Sequence, residues 1–152
     1  MEYMDLVNEA YMKDIDIVEI PFNKNIKGLY CDKTIGLNKN IKTTTEKKCI
    51  LAEELGHFYT TSGNIIDNSI LCKKSENTAR RWAYMRLISL SDFIDAFNYG
   101  INTFEDLASY LDVTIPFLKE TINFYKKRYG IKTSIDNYII FFEPSFSIVK
   151  KF

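Results

Sequence analysis

Thr43-Thr44-Thr45-Glu46 constrains the fold more than any other feature, because strand-like sequence stops there and helical sequence begins. A threonine followed three residues later by a glutamate reads as a capping box. The Thr43 hydroxyl and the Glu46 carboxylate would each take a backbone N–H that a helix start leaves unpaired. A helix is predicted from there to about Tyr59. Upstream, Tyr3, Met4, Leu6, Val7, Ala10 and Tyr11 recur at three- and four-residue spacing, which predicts an amphipathic helix from Met1 to about Lys13. Three β-type segments follow, Ile15 to Phe22, Gly28 to Cys31 and Thr34 to Leu37, the last two joined by Asp32-Lys33 as a tight hairpin. Downstream, Thr60 to Lys74 reads as a connection with a turn at Gly63-Asn64. Helices are predicted over about Ser75–Leu87, Ser91–Tyr99, Thr103–Leu111 and Thr114–Tyr129. A β-hairpin over Tyr138–Val149, broken at Glu143-Pro144-Ser145, closes the chain. Strands first and helices afterwards give an α+β class, with subdomains expected at 1–87 and 88–152.

Composition removes several classes of function. Twenty Lys and Arg balance 20 Asp and Glu, so no overall field draws nucleic acid, anionic membrane or acidic substrate. Cys31, Cys49 and Cys72 are an odd set without a CxxC pair, and fit free thiols in a reducing compartment. Nowhere do about 18 uncharged apolar residues run together, and the first residues do not read as a signal peptide. A cytoplasmic protein with no membrane partner is the expectation, and no feature fixes an oligomeric state.

The chemistry-bearing residues lie on the helix that Thr43 starts. Glu53 and His57, four apart, point from one face, with Glu54 beside them. That spacing can hold a metal ion. Catalytic zinc takes three protein ligands from His and carboxylate side chains, and a glutamate that is not a ligand serves as general base, the part Glu54 would play. The usual helix motif is H-E-x-x-H; here Glu53 replaces its first histidine. Two carboxylates with one imidazole would weaken the metal as a Lewis acid and raise the pKa of bound water. His57 is the sole histidine, so no second imidazole can substitute. Taken alone, these five residues also suit an ordinary amphipathic helix with solvated acids and His57 packed beside Tyr59.

The next helix carries Glu76-Asn77-Thr78-Ala79-Arg80-Arg81-Trp82-Ala83, of the form E-x-x-A-x-x-W-A. Together with Ile50-Leu51-Ala52-Glu53-Glu54-Leu55-Gly56-His57, it resembles the ImmA/IrrE family of metallopeptidase-like proteins of prophages, mobile elements and bacterial stress regulators. The likeness extends through Gly28-Leu29-Tyr30, Ile35-Gly36-Leu37-Asn38 and Ala79 to Leu90. It implies a zincin-like core of a small antiparallel sheet with an active-site helix and a second ligand helix, followed by a helical, helix-turn-helix-like part with a β-hairpin. It also implies Glu53, His57 and Glu76 as metal ligands and Glu54 as the base. The metal would be zinc, with manganese or no metal as alternatives. Arg80 stands where many related zincins carry an Asp that orients the histidine. Cys72 could add a thiolate, although an idle buried thiol is the ordinary state of an isolated cysteine.

The activity that the resemblance implies is site-specific metallo-endopeptidase cleavage of a helix-turn-helix repressor. Two alternatives stand beside it: an inactive regulatory module that antagonises the repressor by binding, and a DNA-binding transcription factor. A peptide substrate would add as a strand along Gly28–Leu37, with Tyr30 and Tyr59 as oxyanion donors or as plain rim aromatics. Leu107 to Leu118 has a helix-turn-helix pattern, but Ile88–Phe152 carries seven Lys and Arg against eight Asp and Glu, a net of −1. DNA readers gather positive charge on the contacting face, so this balance argues against direct DNA reading. Lys126-Lys127-Arg128 reads as a solvated helix end.

Overall fold

The structure, a computed structural model, describes residues 1–23, 25–61 and 69–152, with side chains from residue 75 onward in the last stretch. The predicted Gly63-Asn64 turn and the Cys72 side chain lie outside the described residues. The chain forms two compact units, Met1–Leu87 and Ile88–Phe152. Among the described residues no helix is long and apolar enough to cross a membrane.

The first unit opens with α1 (Tyr3–Met12), β1 (Asp16–Ile20), β2 (Gly28–Cys31) and β3 (Thr34–Asn38). β2 and β3 are the expected antiparallel hairpin. Asp32 and Lys33 take φ of 46° and 58°, the paired left-handed conformation whose twist suits a two-residue hairpin. The strand order is β1-β3-β2, and β1 runs parallel to β3, Asp16 opposite Thr34 and Ile20 opposite Asn38. The sheet is therefore mixed, where a wholly antiparallel one was expected. Residues 21–27 are too many for a tight turn; they carry the chain past one strand position, and β3 returns to fill it. The buried Asn38 secures this crossing: its Nδ2 donates to the Ile26 carbonyl at 2.7 Å, and its backbone N–H to the Lys27 carbonyl at 2.8 Å.

Two helices complete the unit, α2 (Thr44–Thr60) and α3 (Ser69–Leu87). The Thr43 hydroxyl accepts from the Glu46 N–H at 3.1 Å, as a cap should. The Glu46 carboxylate, expected back on the Thr43 N–H, lies 2.9 Å from Lys27 Nζ. α3 starts six residues before its expected beginning at Ser75. Leu6 and Ala10 of α1, Ile35 and Leu37 of β3, and Leu51, Ala52 and Leu55 of α2 are fully buried. Each of the larger ones contributes about 1.5–3 kcal/mol of burial.

The second unit runs α4 (Leu90–Tyr99), α5 (Phe104–Leu111), α6 (Ile115–Tyr129), β4 (Lys132–Ile135), β5 (Tyr138–Phe141) and β6 (Ser147–Lys150). Ser89, Thr103 and Thr114 cap the three helices with their hydroxyls. Gly100 and Asp112 end α4 and α5 in the left-handed conformation. The predicted terminal hairpin is present as β5–β6, and β4 adds a third antiparallel strand to it. Phe93, Leu118 and Ile140 are fully buried at its core, and the Tyr125 hydroxyl donates to the Ile88 carbonyl at 2.6 Å.

Candidate active site

Two glycines allow the site's backbones to approach. Gly56 sits on the buried face of α2, where an added Cβ would overlap the Ala79 carbonyl oxygen and come within 3.0 Å of Ala79 C and Cα. With Ala52 on α2 and Ala79 and Ala83 on α3 all buried, small residues let the two helices touch and set the separation of the side chains beside them. Gly28 does the same for β2: a Cβ there would lie 2.7 Å from Ile50 Cγ2 and 3.0 Å from Glu54 Oε1.

Glu54 lies beneath β2, 9% exposed, with the Tyr30 backbone N–H donating to its carboxylate. Burial pushes its carboxyl up to about 7; Glu76 and Glu53 add to the rise, and His57 and the Tyr30 N–H oppose it. The proton is thus held at neutral pH far more readily than by an ordinary glutamate.

His57 Nε2 lies 3.1 Å from Glu76 Oε1, across the α2–α3 contact. This bond, stronger in effect than burial, raises the His57 pKa above its ordinary value and lowers that of Glu76. Glu53 is joined to the pair through Arg80. The guanidinium Nε is 3.3 Å from Glu53 Oε1, and Nη2 is 3.9 Å from Glu76 Oε2. Sequence reasoning gave Arg80 no part beyond replacing an acid, although its position four residues after Glu76 was a readable sign of an ion pair.

Against the expected zinc site, this arrangement does not fit. Glu76 turns one oxygen to His57 and the other to Arg80, and Glu53 faces the same guanidinium. Among the described residues no three His, Cys, Asp or Glu side chains are grouped as metal ligands. His57 and Glu76 are brought together, Glu53 shares the Arg80 guanidinium with Glu76 and adds its charge to the field at His57 and Glu54, and Glu54 lies under the strand.

Of the two readings left open for the flanking aromatics, Tyr59 takes the structural one. The Tyr59 hydroxyl donates to Glu9 Oε1 at 2.8 Å, and its ring stacks on Trp82 at 4.9 Å between centroids. Burial, then Glu9, pushes its pKa up to about 12. A hydroxyl committed to Glu9 is not an oxyanion donor, so Tyr59 is a structural aromatic. The Tyr30 ring meets Phe58 edge-on at 6.1 Å. Among the described residues β2 is an edge of its sheet and β3 is central, so of the segment Gly28–Leu37 it is β2 that has an open side.

No curated protein matches the chain. A family model described as the IrrE N-terminal-like domain, Peptidase_M78, matches residues 12–123. That span takes in the sheet, both site helices and most of the helical part that follows, so the chain belongs to the IrrE N-terminal-like, metallopeptidase-type family.

Proposed function

We propose that the chain is a metallopeptidase-type regulatory domain that antagonises a helix-turn-helix repressor by binding it. The family resemblance supports the partner class. The mode rests on one observation: Arg80 bridges Glu53 and Glu76, two of the three residues that a zinc-dependent hydrolase of this family would commit to metal. Family membership implies a metal, typically zinc, and the donor set described above does not suit one.

Cleavage is the second reading, favoured by Glu54. A buried carboxyl with a pKa of about 7 has the proton affinity of a general base working at neutral pH. Incubation of the purified chain with the repressor separates the two. Binding predicts an intact repressor band, a co-eluting complex on size exclusion, and unchanged antagonism by Glu54→Gln. A shortened repressor with the wild-type chain, abolished by Glu54→Gln, would establish cleavage instead.

A further inference from the structure

Glu53 and Glu76 lie close enough to share one guanidinium. Two carboxylates so placed repel each other unless a positive charge stands between them. A divalent ion is one means of supplying that charge, and Arg80 is another, carried by the chain itself.

We propose that Arg80 is a resident counter-cation that closes this cluster to divalent metal, so that Glu53, His57 and Glu76 become a metal site only when residue 80 is uncharged. Three physical points lead there. A metal ion among these donors would meet the positive charge of a guanidinium held 3.3 Å from Glu53 Oε1 and 3.9 Å from Glu76 Oε2, and the two cations would repel. The same ion would have to strip Glu76 Oε1 from His57 Nε2 and Glu76 Oε2 from Arg80, and would lose the stabilisation of both contacts. Finally, the competing cation is tethered. Arg80 follows Ala79, whose backbone is wedged against Gly56, and it stands one helical turn from Glu76, so its local concentration far exceeds that of a free ion.

Arg80 is also well suited to a test. Its side chain is 47% exposed, so exchange for an unbranched neutral residue removes charge and leaves the core intact. The probe is Co²⁺, whose visible absorption reports entry into a site of protein ligands, added to the purified full chain and then displaced with Zn²⁺. Arg80→Met is expected to bind one equivalent of Co²⁺ about 100-fold more tightly than the parent, at the upper end of what a neighbour of a metal ligand does to affinity. Glu76→Gln in that background is expected to remove the absorption. Arg80→Lys keeps the charge and is expected to stay closed, and Arg80→Gln provides a second neutral variant should Arg80→Met fold poorly. Parent protein that binds Co²⁺ as tightly as the neutral variants, or two folded neutral variants that bind none, would overturn the proposal. The inference concerns the cluster alone. Repressor cleavage would defeat the binding reading above, whereas the Co²⁺ titration decides the part of Arg80 whatever becomes of the repressor.

Discussion

Gly56→Ala adds a single methyl group where two opposed effects meet. Alanine in place of a mid-helix glycine gains about 0.5–1 kcal/mol from reduced chain entropy. Against this, the new Cβ would stand within 3.0 Å of three Ala79 backbone atoms, and none of these can swing aside as a side-chain tip could. Overfilling of a packed interior costs about 1–3 kcal/mol, and backbone atoms that cannot yield put this position in the upper part of that range, about 2–3 kcal/mol; less a gain of about 1 kcal/mol, the net effect is a loss of about 1–2 kcal/mol. In the unit Met1–Leu87, each kcal/mol lowers the melting temperature by about 4–8 °C. A fall of roughly 4–16 °C should follow by circular dichroism. As α3 is pushed away, Glu76 also draws back from His57, the sole histidine. Its single imidazole resonance should then titrate closer to the ordinary 6.5 than in the parent, where Glu76 raises it. A variant as stable as the parent, with His57 titrating unchanged, would refute the idea that this contact sets the site.

Glu54 makes stability depend on pH in a definite sense. A carboxyl raised on folding from 4.5 to about 7 contributes stability that is complete below 4.5 and lost as pH rises through 7. By the usual conversion this is at most about 3 kcal/mol. Urea unfolding at pH 5 and pH 8 should show the parent losing more stability than Glu54→Gln, whose amide still accepts from the Tyr30 N–H; equal losses would contradict the burial argument. His57 changes in the same sense above 6.5, but it is present in both proteins and largely cancels. Tyr59→Phe should cost about 0.5–1.5 kcal/mol through the lost bond to Glu9 and leave repressor antagonism unchanged; loss of antagonism in a folded variant would restore a functional hydroxyl.

What could be read from the sequence was local. The Thr43 cap, the Asp32-Lys33 turn and the periodicity of the later helices each depend on residues within a few positions of one another, and each is present. The parallel pairing of β1 depends on where a seven-residue connection delivers the chain, which no local pattern encodes. β4 escaped because Lys132-Thr133-Ser134-Ile135 has little apolar alternation; its strand character comes from pairing with β5, and the Asp136-Asn137 doublet was its one local sign. In the site, the motifs located Glu53, Glu54, His57 and Glu76. They could not give the connectivity, because a side chain four residues from Glu76 decides which charges meet.

β2 is a sheet edge, and an edge ordinarily offers its backbone to any chain that fits. Here the Tyr30 amide, in the middle of the strand, is already satisfied by an acid rising from the helix beneath. Glu54 thus serves as an internal stopper, doing for one position what a neighbouring strand would do along the whole edge. An extended partner that docks on β2 must exchange its own carbonyl for that carboxylate. Strand addition is therefore a substitution, and its affinity is set by the difference between two acceptors.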